Sequence, residues 1–104
     1  MNRYFKIADI ILFVYDITNK NSLEYLNSRI EISKEENEFG FIGAIIANKS
    51  DLYDEREVSD EQGKEFAKKN NYKFYSASAK NDSVGFRIFL EELIKDYIAS
   101  RLKK

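Results

Sequence analysis

The chain has 104 residues, enough for one small domain (1–104) and too few for two. Hydrophobic residues make up 43% and charged residues 34%, which fits a globular core and argues against disorder. Lys+Arg of 17 against Asp+Glu of 18 gives a net charge of −1, so no global attraction to nucleic acid is expected, and the absence of Cys and His excludes disulfides, thiolate or imidazole metal sites and Cys or His catalysis. No run approaches the roughly 18 apolar residues of a membrane span. No signal peptide precedes the first apolar run, so a cytoplasmic protein with no membrane insertion is expected.

Met1 to Lys6 lead into Ile10-Ile11-Leu12-Phe13-Val14-Tyr15, which is apolar on both alternating faces. A strand of that kind is buried on both sides, as in a parallel sheet covered by helices. Residues 16–21 read as a polar loop. From Ser22, taken as the N-cap, Leu23, Leu26 and Ile30 recur at helical spacing, and the charged residues 31–38 finish that helix. Residues 41–47 form a second two-faced apolar strand, which ends at Asn48. Residues 52–58 are an acidic loop. Ser59 with Gln62 makes a capping-box signature for a helix reaching about Asn70, with Phe66 and Ala67 on its inner face. Tyr72 to Ser76 is a third, shorter strand. The last helix starts near Ser83 and carries Phe86, Leu90, Leu93, Ile94 and Tyr97 as its apolar stripe, with a basic C-terminal end that suits the helix dipole.

The β-α-β-α-β-α order implies an α/β fold with three parallel strands and three crossover helices in three layers. Two loops then leave equivalent strand ends, on the edge where open α/β sheets bind ligands. One is Asn48-Lys49-Ser50-Asp51 and the other is Ser78-Ala79-Lys80. The first offers a carboxylate, an amide and a Lys stem. The second offers a hydroxyl, a small residue with an open backbone N–H, and another Lys stem. That set suits a purine with adjacent N–H donors and one carbonyl, which is guanine. Each segment taken alone also reads as an ordinary polar turn. Asp16, at the end of the first strand, invites comparison with the phospho-acceptor of a receiver-like domain. It has no acidic cluster beside it and reads better as a loop-shaping residue.

Several of these segments together resemble the C-terminal part of a Ras-superfamily small GTPase of the Rab branch. Arg3 to Ala8 is similar to the Y-Y-R-G-A stretch that ends the switch II helix. Leu12-Phe13-Val14-Tyr15-Asp16-Ile17-Thr18 is similar to L-V-Y-D-I-T, Asn48 to Asp51 to N-K-x-D, and Ser76 to Asn81 to the S-A-K loop. The resemblance runs through essentially the whole chain and implies a partial P-loop NTPase fold and a vesicle-trafficking type of switch. It implies that Asp51 accepts from guanine N1–H and the N2 amine, and that Asn48 bonds the base edge. Lys49 and Lys80 would lay their stems over the base faces. Ala79 would give its backbone N–H to O6, and Ser78 would brace the loops.

The departures from the family pattern are equally clear. No G-x-x-x-x-G-K-[ST] occurs, no Asp-x-x-Gly precedes Arg3, and no switch I threonine or catalytic glutamine is present. A full small GTPase would have built about its first three strands before the point matching Met1, and phosphate and metal binding belong to that part. The expectation is therefore weak GTP or GDP binding through the base, no Mg²⁺ held by this chain alone, no catalytic residues, and no prenylation site, since Cys is lacking. A non-catalytic remnant serving as an interaction or scaffold module is the alternative reading. With a first-strand neighbour missing, Ile10, Ile11, Leu12, Phe13, Val14 and Tyr15 are expected to form an open sheet edge. That edge would pair with a second copy as a homodimer, or with a partner supplying the missing strands.

Overall fold

The computed structural model describes residues 4–7, 9–37, 40–48, 57–76 and 83–102. Four strands and three helices follow in the order β1 (Tyr4–Ile7), β2 (Ile10–Asp16), α1 (Lys20–Glu36), β3 (Ile42–Asn48), α2 (Asp60–Lys69), β4 (Lys73–Ser76) and α3 (Ser83–Leu102). The sheet order is β1-β2-β3-β4. Strands β2, β3 and β4 are parallel, as the alternation of elements requires.

The two-faced apolar strands divide their side chains between two cores. Ile11, Phe13 and Tyr15 of β2 and Ile45 of β3 pack on one face with Leu26 and Ile30 of α1 and Ala67 of α2. Ile10 and Leu12 of β2 and Ala44 and Ile46 of β3 pack on the other with Phe89 and Leu93 of α3. Burying side chains such as Phe13, at 0% exposure, stabilises the fold by about 1.5–3 kcal/mol each. Helix α3 is also held to the sheet and to the β1–β2 turn through its C-terminal half. Lys73 Nζ lies 3.3 Å from Asp96 Oδ2, and the Tyr97 hydroxyl donates to Asp9 Oδ2 at 3.4 Å.

Strand β2 is not a sheet edge, contrary to the sequence expectation. Segment Tyr4–Ile7, which the resemblance places at the end of a helix, is an antiparallel strand paired with β2 from Tyr4↔Phe13 to Ile7↔Ile10. Its N–H and C=O groups take up the row that would otherwise stand open, so β2 is hydrogen-bonded on both sides. Ile10, Ile11, Leu12, Phe13 and Tyr15 are buried and Val14 is half-buried, so this strand is not an open row for a second chain. The strands exposed at the two edges are β1 and β4.

Two helical details also differ. The N-cap of α1 is Asn19, whose side chain accepts from Asn21 N, and Ser22 lies inside the helix. On α3, Phe89 and Leu93 form the buried centre, Phe86, Leu90 and Tyr97 flank it, and Ile94 faces outward. The capping box on α2 is present in full: Ser59 N donates to Gln62 Oε1 at 2.8 Å and Gln62 N donates to Ser59 Oγ at 3.2 Å.

Candidate functional site

Parallel pairing sets the carboxyl ends of three strands in one row. Asp16 is in register with Asn48, and Ala47 with Ser76. The loops that follow β2, β3 and β4 therefore leave from the same edge of the sheet. Asn48 is the exposed last residue of β3. Ser76 closes β4, two positions before Ser78. Lys49, Asp51, Ser78, Ala79 and Lys80 lie outside the described residues, so the expectations on them are carried by their attachment points.

The β2 end is a tightly bonded turn. The Asp16 carboxylate accepts from Thr18 N at 2.9 Å and from the Thr18 hydroxyl at 2.7 Å. Asp16 N donates to Ser22 Oγ at 2.9 Å, and the Ser22 hydroxyl donates to the Asn19 carbonyl at 2.7 Å. This set of bonds makes Asp16 the loop-shaping residue that the sequence suggested. It also explains why buried Ser22 is polar: it links the strand end to the first turn of α1.

The next residue, Ile17, has no polar side chain, and its backbone holds the site together. Ile17 N donates to the Asn48 carbonyl at 3.2 Å. The Ile17 carbonyl accepts from Glu57 N at 2.7 Å and Val58 N at 3.1 Å. Lys20 N donates to Glu57 Oε1 at 3.0 Å. One buried residue thus clasps both the start and the return of the segment that contains Lys49 and Asp51. Ile17 at 0% exposure and Val58 at 1% pack beneath it as part of the same core. Sequence reading missed this clasp because its polar work is done by main-chain atoms; an isolated Ile within a polar loop was the only signal.

Among the described residues, this edge shows no cluster of metal-ligating side chains: no group of three or more acidic, His or Cys side chains is placed to hold a cation. The Asp16 carboxylate is taken up by the turn, through the two bonds its Oδ1 accepts from Thr18. The shifted titration that does stand out belongs to Tyr72, just before β4, whose hydroxyl is pushed up by burial and by the nearby Glu31 carboxylate.

An α/β sheet whose parallel strands β3 and β4 run into the N-K-x-D-like and S-A-K-like segments of the sequence has the architecture of a small-GTPase-like domain. The Ras family model matches residues 1–98, and the chain belongs to the Ras family. It is 33% identical over 108 aligned residues to the intraflagellar transport protein 27 homolog of Trypanosoma brucei brucei, covering 100% of this chain and 56% of that protein. It is 36% identical to the Ras-related protein Rab-2B of Dictyostelium discoideum, covering 88% of this chain and 47% of the relative. It is 40% identical to mouse Ras-related protein Rab-17 over 74% of this chain and 36% of that protein. The chain thus spans between a third and three-fifths of the length of these relatives. No helix among the described residues is long and apolar enough to cross a membrane.

Proposed function

We propose that this chain reads the guanine base of GTP and GDP, as part of a Rab-like switch of the vesicle-trafficking type. The observation that carries the proposal is the aligned row of strand ends, with both arms of the 49–56 segment clasped on Ile17. That anchoring favours a preformed pocket wall, in which Asp51 faces the two adjacent N–H donors of guanine. A charged acceptor opposite two donors is the strong kind of hydrogen bond. Ala79 supplies the backbone donor for O6, and Ser78 steadies that loop against the Asp51 segment. Asn48 bonds the base edge, and the stems of Lys49 and Lys80 cover the two base faces. Adenine presents the wrong edge to Asp51 and to Ala79: it has no N1–H and no 2-amine, and carries an amine donor where guanine has O6. One bidentate base contact discriminates by about 1–3 kcal/mol, or roughly 5- to 150-fold.

Hydrolysis is not part of the proposed activity of this chain. Phosphoryl transfer rests on a phosphate cradle, a metal and an oriented water, and the 104 residues contain no phosphate-loop motif. Titration of the purified chain with guanosine, GDP, GTP and ATP, with and without Mg²⁺, tests the proposal. Expected are similar, weak affinities for the three guanine compounds, little for ATP, and loss of the preference in Asp51→Ala. Equal binding of ATP contradicts the base-reading role. A sub-micromolar, Mg²⁺-dependent affinity for GTP contradicts recognition through the base alone.

A further inference from the structure

The outward face of α3 carries a second apolar stripe, separate from the one packed on the sheet. Among the described residues, five of the seven large hydrophobic side chains that are exposed lie on this helix. Val84 is 59% exposed, Ile88 52%, Ile98 50% and Leu102 81%. Ile94, at 45%, borders the same arc. These residues face away from Phe89 and Leu93, which hold the helix on the sheet. Exposed apolar side chains gathered on one face of a helix in a small domain mark an interaction surface.

The spacing of the stripe identifies its partner. Val84, Ile88, Glu91, Lys95, Ile98 and Leu102 follow one another at intervals of four, three, four, three and four. This is the a/d seam of a helix that pairs with another helix. The two central seam positions are charged, and their signs are opposite. The seam is also symmetric about position 93. If an identical helix is laid antiparallel, Val84 meets Leu102 of the second copy and Ile88 meets Ile98. Glu91 meets Lys95 of the second copy, and Lys95 meets Glu91. Ile94 then faces its own copy across the two-fold axis. A parallel arrangement would instead set Glu91 against Glu91 and Lys95 against Lys95.

The charges around the seam fit the antiparallel arrangement. Lys95 has no ion-pair partner among the described residues. Glu91 is held at 4.0 Å by Arg87 on its own helix, through an exposed pair that leaves one carboxylate oxygen to share. The flanking Arg101 is already engaged with Asp9 at 3.8 Å and lies over the Tyr97 ring. We infer that α3 is a self-association surface, through which two copies of this chain form an isologous, antiparallel helix pair centred near Leu93. This surface replaces the β2 edge as the place of contact, and it stands independently of nucleotide binding.

Sedimentation equilibrium of the full chain at micromolar concentration tests the inference. Wild type should sediment as a dimer. Glu91→Lys and Lys95→Glu should each weaken association tenfold or more by setting like charges together, and an equimolar mixture of the two should recover it. Both positions are exposed, so circular dichroism should show an unchanged fold. Orientation is read by cross-linking, because the chain has no cysteine of its own. Ile88→Cys mixed with Ile98→Cys should form a disulfide readily. Ile88→Cys alone should not, since an antiparallel pair separates the two copies of position 88 by about 15 Å along the axis. A monomer at all concentrations overturns the inference and leaves the stripe to another part of the protein. A dimer indifferent to both charge reversals also overturns it and places the contact at the β1 or β4 edge.

Discussion

Gly63 is where helix α2 comes closest to the sheet, and Gly63→Ala tests how tightly the site is backed. The substitution is ordinarily favourable in a helix, by about 1 kcal/mol. Here an ideal Cβ would lie 2.5 Å from Phe74 Cε1 and against the Tyr15 hydroxyl. Carbon atoms in contact sit at about 3.5–4.0 Å, so the overlap approaches roughly 1 Å. Tyr15 is 1% exposed and its ring cannot withdraw into solvent. Helix α2 must therefore move away from the sheet. Overpacking of this kind costs about 1–3 kcal/mol, which cancels or exceeds the propensity gain and leaves a net loss of up to about 2 kcal/mol. For a domain of this size that corresponds to a fall in Tm of up to roughly 15 °C. Urea unfolding below the association concentration measures it as a lower midpoint at unchanged m. Phe74→Leu in the same background should recover part of the loss. Because α2 follows directly on Glu57 and Val58, which bond to Ile17, guanosine binding should weaken as well. A raised midpoint in Gly63→Ala refutes the packing argument.

Two further perturbations probe other parts of the structure. Ser22→Ala removes the acceptor of Asp16 N and the donor to the Asn19 carbonyl; stranding such a group costs about 1–3 kcal/mol, and the urea midpoint should fall accordingly, whereas an N-cap serine at that position would leave the β2 turn untouched. Tyr72 is raised above its ordinary value of 10.0 by burial and by Glu31. An acid raised in the folded state favours folding below its unfolded pKa, and that contribution is lost as pH rises through the folded value. Stability measured by urea should therefore decline above about pH 10, and Tyr72→Phe should flatten that decline.

The parts of the fold that were legible in the sequence are those where one residue pattern has one structural solution. Two-faced apolar runs gave β2 and β3, since only a strand covered on both sides takes apolar side chains on both alternating faces, as Ile10 to Phe13 and Ala44 to Ala47 do. Ser59 with Gln62 located the start of α2, because their reciprocal bonds require a helix. Elsewhere two solutions competed. Asn19 and Ser22 are both able to cap, and the choice fell to Asn19 because Ser22 is engaged by the end of β2. Residues 4–7 match a helix end by family pattern, yet the open row of β2 offers them strand pairing that no local pattern encodes. On α3 the periodicity could not separate Phe89 from Ile94, because the helix is apolar on two faces and only packing selects the inner one. At the candidate site the motif residues were readable as side-chain chemistry, whereas the Ile17 clasp, made of main-chain atoms, was not.

The most direct measurement is a guanosine titration of isotopically labelled chain, followed amide by amide by NMR, with adenosine as the control. Guanosine should produce saturable shifts confined to residue 17, residues 48–51 and residues 77–80. The Ala79 amide should move furthest, because its N–H acquires the O6 acceptor, and adenosine should leave these amides in place. Shifts of equal size with adenosine, or shifts centred at the opposite end of the sheet near Gly43 and Tyr72, would contradict guanine recognition at this edge.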